Sequence, residues 1–374
     1  MLNATRPLVS LYAISLGGST VTVGLLASTY AFFPLLLAIS IGKLTDRFGI
    51  RRPVIVGTIG LAIALVFPFL FPSLWALYVS QGMVGVAQIF INVSLQNAIG
   101  FASKDKRDRN FSIYSLGISG GAFLGPVIGG FIGEHLGFAA TFLCATIFSL
   151  IPISISFFLP DFINKKEGLS KSNKIEGKFQ TFTLLKLPTL RKALFTSMLV
   201  LYSRDIYMAY FPLYASSIGI ATFGIGLIMS IQGGASVAIR SALPWLIQRW
   251  ARDKVLFLSL IAAGISFTVV PLLNQMYWFW GLAILLGAGL GCGQPLSTAI
   301  TFNVSPMGRT GEALGLRMAF NRLSQFIAPF VFAMIGGIGG LSSVFYVSGL
   351  FLIGGSILTN VNKEGGNKNV TNNY

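Results

Sequence analysis

The sequence predicts an all-α integral membrane protein made of two pseudo-symmetric six-helix bundles. Three observations point there. Apolar residues fill 54% of 374 positions and charged residues only 10%, with a mean hydropathy of +0.76, whereas a soluble domain carries about a quarter charged residues. The apolar residues fall into twelve runs separated by short polar turns. The second six runs repeat features of the first at a fixed offset: Leu11-Tyr12-Ala13 returns as Leu213-Tyr214-Ala215, 213 − 11 = 202 positions later.

Taken in order, the runs are 1–16, 20–42, 53–71, 74–101, 111–133 and 137–159, then 193–213, 222–247, 254–273, 277–303, 311–335 and 341–359. Nearly all are long enough for a helix to cross a hydrocarbon core of about 30 Å. The first is not: 16 residues reach roughly 24 Å at ~1.5 Å per residue. At the repeat offset its partner begins near Ala193, so the first helix is expected to be truncated at its N-terminus by about ten residues, on the cytoplasmic side. Residues 161–190, rich in Lys, Ser, Asn and Glu, read as a cytoplasmic linker between an N-terminal bundle over 1–160 and a C-terminal bundle over 191–360. The polar stretch 361–374 reads as a disordered cytoplasmic tail. At the same offset Gly17 meets Gly219, Gly24 meets Gly226, Arg47 meets Arg249 and Gly85 meets Gly287. No cleavable leader is expected, because Leu8–Leu16 lacks a following small-residue cleavage site.

The net charge of +16 is not a nucleic-acid footprint. Lys and Arg concentrate in Lys43–Arg52, Lys104–Arg109, Lys165–Lys192, Arg249–Lys254, Arg309 and the tail, all on alternate turns, while the intervening turns hold none. That distribution follows the positive-inside rule and puts the linker and the C-terminus in the cytoplasm. Cys144 and Cys292 fall in apolar runs and read as packing residues; with the lone His135, they offer no metal site. An intramembrane enzyme would need a catalytic pair at membrane depth, which the sequence lacks, and no phosphate-cradling G-x-x-x-x-G-K-[ST] loop is present for a nucleotide-driven pump.

The turn between the second and third runs is Gly42-Lys43-Leu44-Thr45-Asp46-Arg47-Phe48-Gly49-Ile50-Arg51-Arg52. It resembles the signature loop of the major facilitator superfamily, G-x-L-x-D-R-x-G-R-R, with Gly42, Leu44, Asp46, Arg47, Gly49, Arg51 and Arg52 matching and Ile50 displacing the basic pair by one residue. The resemblance implies that Asp46 engages the start of the eleventh helix. The second-half counterpart around Arg249 keeps leucine and basic charge but has no aspartate. In the fifth run, Gly121-x-x-x-Gly125-Pro126-x-x-Gly129-Gly130 resembles the antiporter motif of the same family, which implies packing between the halves and the drug and metabolite proton-antiporter branch. One feature departs: where such exporters carry an arginine three residues before a Gln-Gly pair, Tyr78 precedes Gln81-Gly82.

Polar groups at membrane depth are costly, so they mark cavities, relays or interhelical hydrogen bonds. Asn92 and Gln96 in the fourth run and Gln294 in the tenth occupy helical stripes. Asp205 is the carboxylate well inside a run. Arg6, Arg204, Arg240, Arg317 and Asn321 complete the set of cavity or coupling candidates. A buried carboxylate near arginines can exchange a proton and a partner, or can be a fixed ion pair. The resemblance and these residues together imply a secondary transporter in the cytoplasmic (inner) membrane of a bacterial-type cell. It is expected to act as a monomer without cofactor, metal or nucleic acid, moving a small organic solute by alternating access with proton-linked efflux. A second reading is an organic-anion carrier with an arginine-lined cavity. A third is a non-transporting sensor or a decayed, truncated transporter.

Overall fold

The computed structural model describes residues 1–48, 50–100, 104–159, 184–304 and 310–360. The N-terminal half contributes α1 Leu2–Ser15, α2 Thr20–Phe48, α3 Arg51–Leu70, α4 Leu74–Gly100, α5 Lys104–His135 and α6 Phe138–Ser156. After a 3-10 turn at Leu184–Lys186 come α7 Pro188–Ser217, α8 Thr222–Arg249, α9 Arg252–Val269 and α10 Met276–Val304. One continuous stretch, Thr310–Asn360, follows. Gly340 divides it with φ 77° and ψ 173°, giving α11 over 310–339 and α12 over 341–360. Gly340 matches Gly137, the residue before α6, which has φ 87°. A left-handed backbone at both halves' last turn is one that glycine adopts without a Cβ clash.

Eight stretches among the described residues are long and apolar enough to cross a membrane, one of them running through both α11 and α12. Helix α1 falls outside that set because it has only 14 residues, and α7 because it carries Arg204 and Asp205 mid-length. Helices α5 and α7 begin before their apolar runs because helical hydrogen bonding continues into the polar turns, and Pro188 supplies a favourable first-turn residue. The linker boundary therefore falls at Pro188 rather than 190, and 160–183 and 361–374 lie outside the described residues. Ser15 and Ser217 end α1 and α7 at equivalent positions (15 + 202 = 217), and α1 is shorter by 30 − 14 = 16 residues. The sequence predicted about ten; α7 starts five residues before its apolar run, and α1 opens at Leu2.

The internal repeat is visible in packing as well as length. A Cβ at Gly85 would meet the Tyr30 carbonyl and Pro34, and one at Gly287 would meet the Gln232 carbonyl and the Ser236 backbone. Tyr30 and Gln232, like Pro34 and Ser236, are 202 residues apart, so the two close helix approaches are the same contact made twice. Large apolar side chains such as Phe158, Ile338 and Leu350 point outward, the arrangement a lipid solvent favours. Tyr277, Trp278, Trp245 and Trp250 are exposed near helix ends, where amphipathic rings settle at the membrane–water boundary.

The halves meet along two long seams, α5 with α8 and α2 with α11, and a shorter one, α1 with α7. Successive antiparallel helices put the α1–α2, α5–α6, α7–α8 and α11–α12 turns at one end of the molecule, and the described seam contacts crowd toward that end. There Glu134 Oε2 accepts from the Phe223 backbone N–H at 2.7 Å, and Val127 N–H donates to Ser230 Oγ at 3.1 Å. Ser28 Oγ donates to the Phe326 carbonyl at 3.1 Å, and the Pro126 carbonyl lies against Gly226. Farther along the α5–α8 seam a cleft opens, lined by Ser119 and Ala122 of α5 and Ser236 and Arg240 of α8.

Candidate functional site

An ion pair joins the two halves at the α1–α7 seam. Arg6 reaches across with Nη2 3.1 Å from Asp205 Oδ1, although the two residues are 199 positions apart in sequence. The Arg6 guanidinium also lies 4.3 Å from the centre of the Tyr30 ring, a cation–π contact that offsets part of its desolvation. Asp205 is about 6% exposed. Its second oxygen, Oδ2, is buried and has no hydrogen-bond partner among the described residues. A carboxylate with one oxygen paired and the other bare is incompletely satisfied, because each oxygen has two acceptor sites. Ser10 and Gln81 line the same small cleft with Arg6, Tyr30 and Asp205.

A second cleft adjoins it on the opening side of the seam. Arg204 and Arg240 line it together, with Asn3, Ser119, Gln232 and Ser236 among its polar groups. Arg240 is held by one bond, Nε to the Gly291 carbonyl at 3.1 Å, while Arg204 is exposed in the cleft.

The remaining polar candidates separate from this place. Arg317 donates to Gln294 Oε1 and to Ser297 Oγ, Gln294 Nε2 donates to the Ser197 carbonyl at 3.1 Å, and Ser197 Oγ donates to Asn321 Oδ1 at 2.8 Å. That network ties α10, α7 and α11 together inside the C-terminal bundle. Asn92 accepts from Tyr114 at 3.4 Å within the N-terminal bundle, and the side chain of Gln96 lies outside the described residues. In the signature turn, Gly49 and the side chains of Leu44, Asp46 and Arg47 lie outside them too, while Gly42 ends within α2 and Arg51 and Arg52 open α3.

The glycine stripe of α5 serves two partners. Gly125 and Gly129 press on the backbone of Asn3 and Ala4 in α1, and Gly121 sits near the Asn3 side chain. On the neighbouring face Pro126 and Gly130 meet Gly226 and Thr222 of α8. The antiporter resemblance places the whole motif between the halves; here only the Pro126–Gly130 face lies there, because residues four apart share one side of a helix and Gly130 turns about a quarter-circle away. Sequence reasoning did not single out Tyr30, Asn3 or Glu134. The available signals were an aromatic at the symmetry position of Gln232, an amide at that of Asp205, and an acid facing a helix N-terminus.

The repeat, the seams and the charged pair between bundles together identify the architecture, and the sequence profile of the Major Facilitator Superfamily matches residues 1–254 and, again, 193–371. The chain belongs to this superfamily. Across 367 residues it is 28% identical to a multidrug resistance protein MdtG of Proteus mirabilis, covering 91% of this chain and 86% of that one. It is 23% identical to the class B tetracycline resistance protein of Escherichia coli, covering 83% and 78%. It is 26% identical to the multi-drug resistance efflux pump PmrA of Streptococcus pneumoniae, covering 87% and 82%. Among solved structures, the nucleoside transporter NupG superposes with a TM-score of 0.77 at 14% identity, over 96% of this chain and 95% of that one. A peptide transporter POT bound to sulfate superposes with a TM-score of 0.78 at 16% identity, over 96% and 90%; at these identities the likeness is one of fold. This facilitator is a multi-pass membrane protein, and the relatives it resembles include proteins named for multidrug and tetracycline resistance and an efflux pump.

Proposed function

We propose that the protein exports a small organic solute in exchange for protons, by alternating access between the two bundles. The observation that carries this reading is the Arg6–Asp205 pair across the α1–α7 seam, with Asp205 Oδ2 buried and unpartnered. In the ionised state Asp205 holds Arg6, and with it one half to the other. A proton arriving on Oδ2 neutralises the carboxyl group, removes the Coulomb attraction and frees both the guanidinium and the seam. Loss of that proton to the opposite side restores the pair. Charges at this depth gain from pairing only when the geometry is good, so removing one partner's charge has a large effect on the state that needs the pair.

The seams packed near the α1–α2 turn, and the cleft between α5 and α8 farther along, support a state closed at that end and open at the other. With the basic turns cytoplasmic, that state is inward-facing. The resistance named in several relatives supports export as the direction. The missing arginine at Tyr78 moves the coupling role away from α4, and Asp205 supplies the carboxylate instead.

The test uses purified full-length protein in proteoliposomes with an entrapped pH dye. Tetracycline, ethidium and 2-naphthoate are supplied as solutes. Proton movement that begins on solute addition, and solute movement that follows an imposed pH gradient, support proton-linked export. Solute movement indifferent to the gradient, or none with any of the three, overturns it.

A further inference from the structure

Resting on the transport reading above, we infer that the second cleft is an anion subsite and that the solute is an amphipathic organic anion carrying a carboxylate or a phosphoryl group. The four charged residues at the two adjoining clefts are Arg6, Asp205, Arg204 and Arg240. The single carboxylate is spent on Arg6, so the described charges sum to 3 − 1 = +2. Two guanidinium groups facing one cleft at membrane depth, without a carboxylate of their own, are poorly stabilised by the protein itself. An entering anion supplies the missing countercharge.

The donor geometry fits that task. The bond from Arg240 Nε to the Gly291 carbonyl fixes the head of that side chain and leaves its two terminal nitrogens for a ligand. A guanidinium presents such donors in a planar fork that matches the two oxygens of a carboxylate or phosphoryl group. The neutral polar groups beside it are already engaged: Gln232 Nε2 donates to Ser236 Oγ at 3.3 Å, and Ser236 Oγ donates to the Gly287 carbonyl at 2.9 Å. The cleft also carries apolar lining from Ala122, Met208, Met229 and Leu290, which suits the hydrocarbon body of the solute. By contrast Arg317 lies in a different place, buried among Gln294 and Ser297 inside the C-terminal bundle.

Binding of 2-naphthoate, 2-naphthylphosphonate and 2-naphthylmethylammonium to the purified protein by titration calorimetry tests this. At least one anion is expected to bind and the matched cation is not. Arg204→Gln and Arg240→Gln should each weaken anion binding about tenfold or more, with Arg→Lys at either position intermediate. The Lys variants guard against a Gln variant that fails to fold. Repeating the titration in nanodiscs with and without phosphatidylglycerol separates a soluble anion from a lipid headgroup. Persistence of binding in both supports the proposal, and its loss only in the anionic lipid overturns it. Binding of the cation alone, or of neither anion, also overturns it. The two readings stay apart: solute-driven proton flux without anion binding sinks only this subsite. Arginine-dependent anion binding without proton flux sinks only the proton linkage.

Discussion

Arg6 and Arg317 are both arginines at membrane depth, yet the structure gives them opposite settings. Arg317 is about 8% exposed and bonds Gln294 and Ser297 within one bundle. Its partners are neutral, numerous and part of the same rigid unit. Arg6 has one charged partner, on the other bundle, and that partner keeps an oxygen in reserve. The difference teaches that depth alone does not make a charge functional. What separates a strut from a relay is whether the partner can change its own charge and whether the contact spans surfaces that must move.

The largest effect should come from the seam itself. A side chain at Gly226 would run into the Pro126 carbonyl and Gly130, both backbone, so Gly226→Val should force α5 and α8 apart and abolish transport in protein of normal abundance. Gly129→Val meets the Ala4 backbone inside one bundle; it should lower thermal stability at least as much as transport. Reconstituted flux beside a melting curve separates them, and equal behaviour of the two variants would erase the distinction between seam and bundle.

Arg317→Leu comes next. It deletes charged hydrogen bonds inside the bundle, each worth about 1.5–3 kcal/mol, and leaves Gln294 Oε1 without its Arg317 donor. Thermal stability should fall clearly while any residual transport keeps its response to a pH gradient. A stable Arg317→Leu protein that had lost the gradient response would turn the strut into a relay.

Glu134→Gln should do least. The carboxylate caps the N-terminus of α8 from the other half, an interaction worth about 0.3–1 kcal/mol near a surface. The amide keeps an acceptor for Phe223 N–H but loses the charge. The expected result is a small rise in the outward-open fraction, read by spin-label distances across that end. An unchanged distribution would remove Glu134 from the gate.

Much of this was legible in the sequence because membrane folds obey period, length and charge asymmetry. The twelve runs, the repeat at 202 and the depth of Asp205 and Arg240 all follow from those rules. The pairings did not. Arg6 and Asp205 meet only because pseudo-symmetry brings α1 against α7, and no local spacing encodes which of the arginines inside the apolar runs takes the carboxylate. The same limit applies to the glycines of α5: a spacing of four reveals a stripe but not its neighbour, and Gly125 found α1 while Gly130 found α8. The α10 stripe misled in a related way, since Gly287 and Gly291 seat α8 and Gln294 is consumed by Ser197 and Arg317.

Proton coupling by this protein stands or falls with Asp205. The direct measurement is transport by Asp205→Asn in proteoliposomes, with and without an imposed pH gradient, alongside the parent protein. Asparagine keeps the shape of the side chain and cannot take up a proton, so solute binding should persist while the response to the gradient disappears. An Asp205→Asn protein that follows the gradient as the parent does would contradict this, and would make the Arg6–Asp205 pair a fixed strut of the same kind as Arg317.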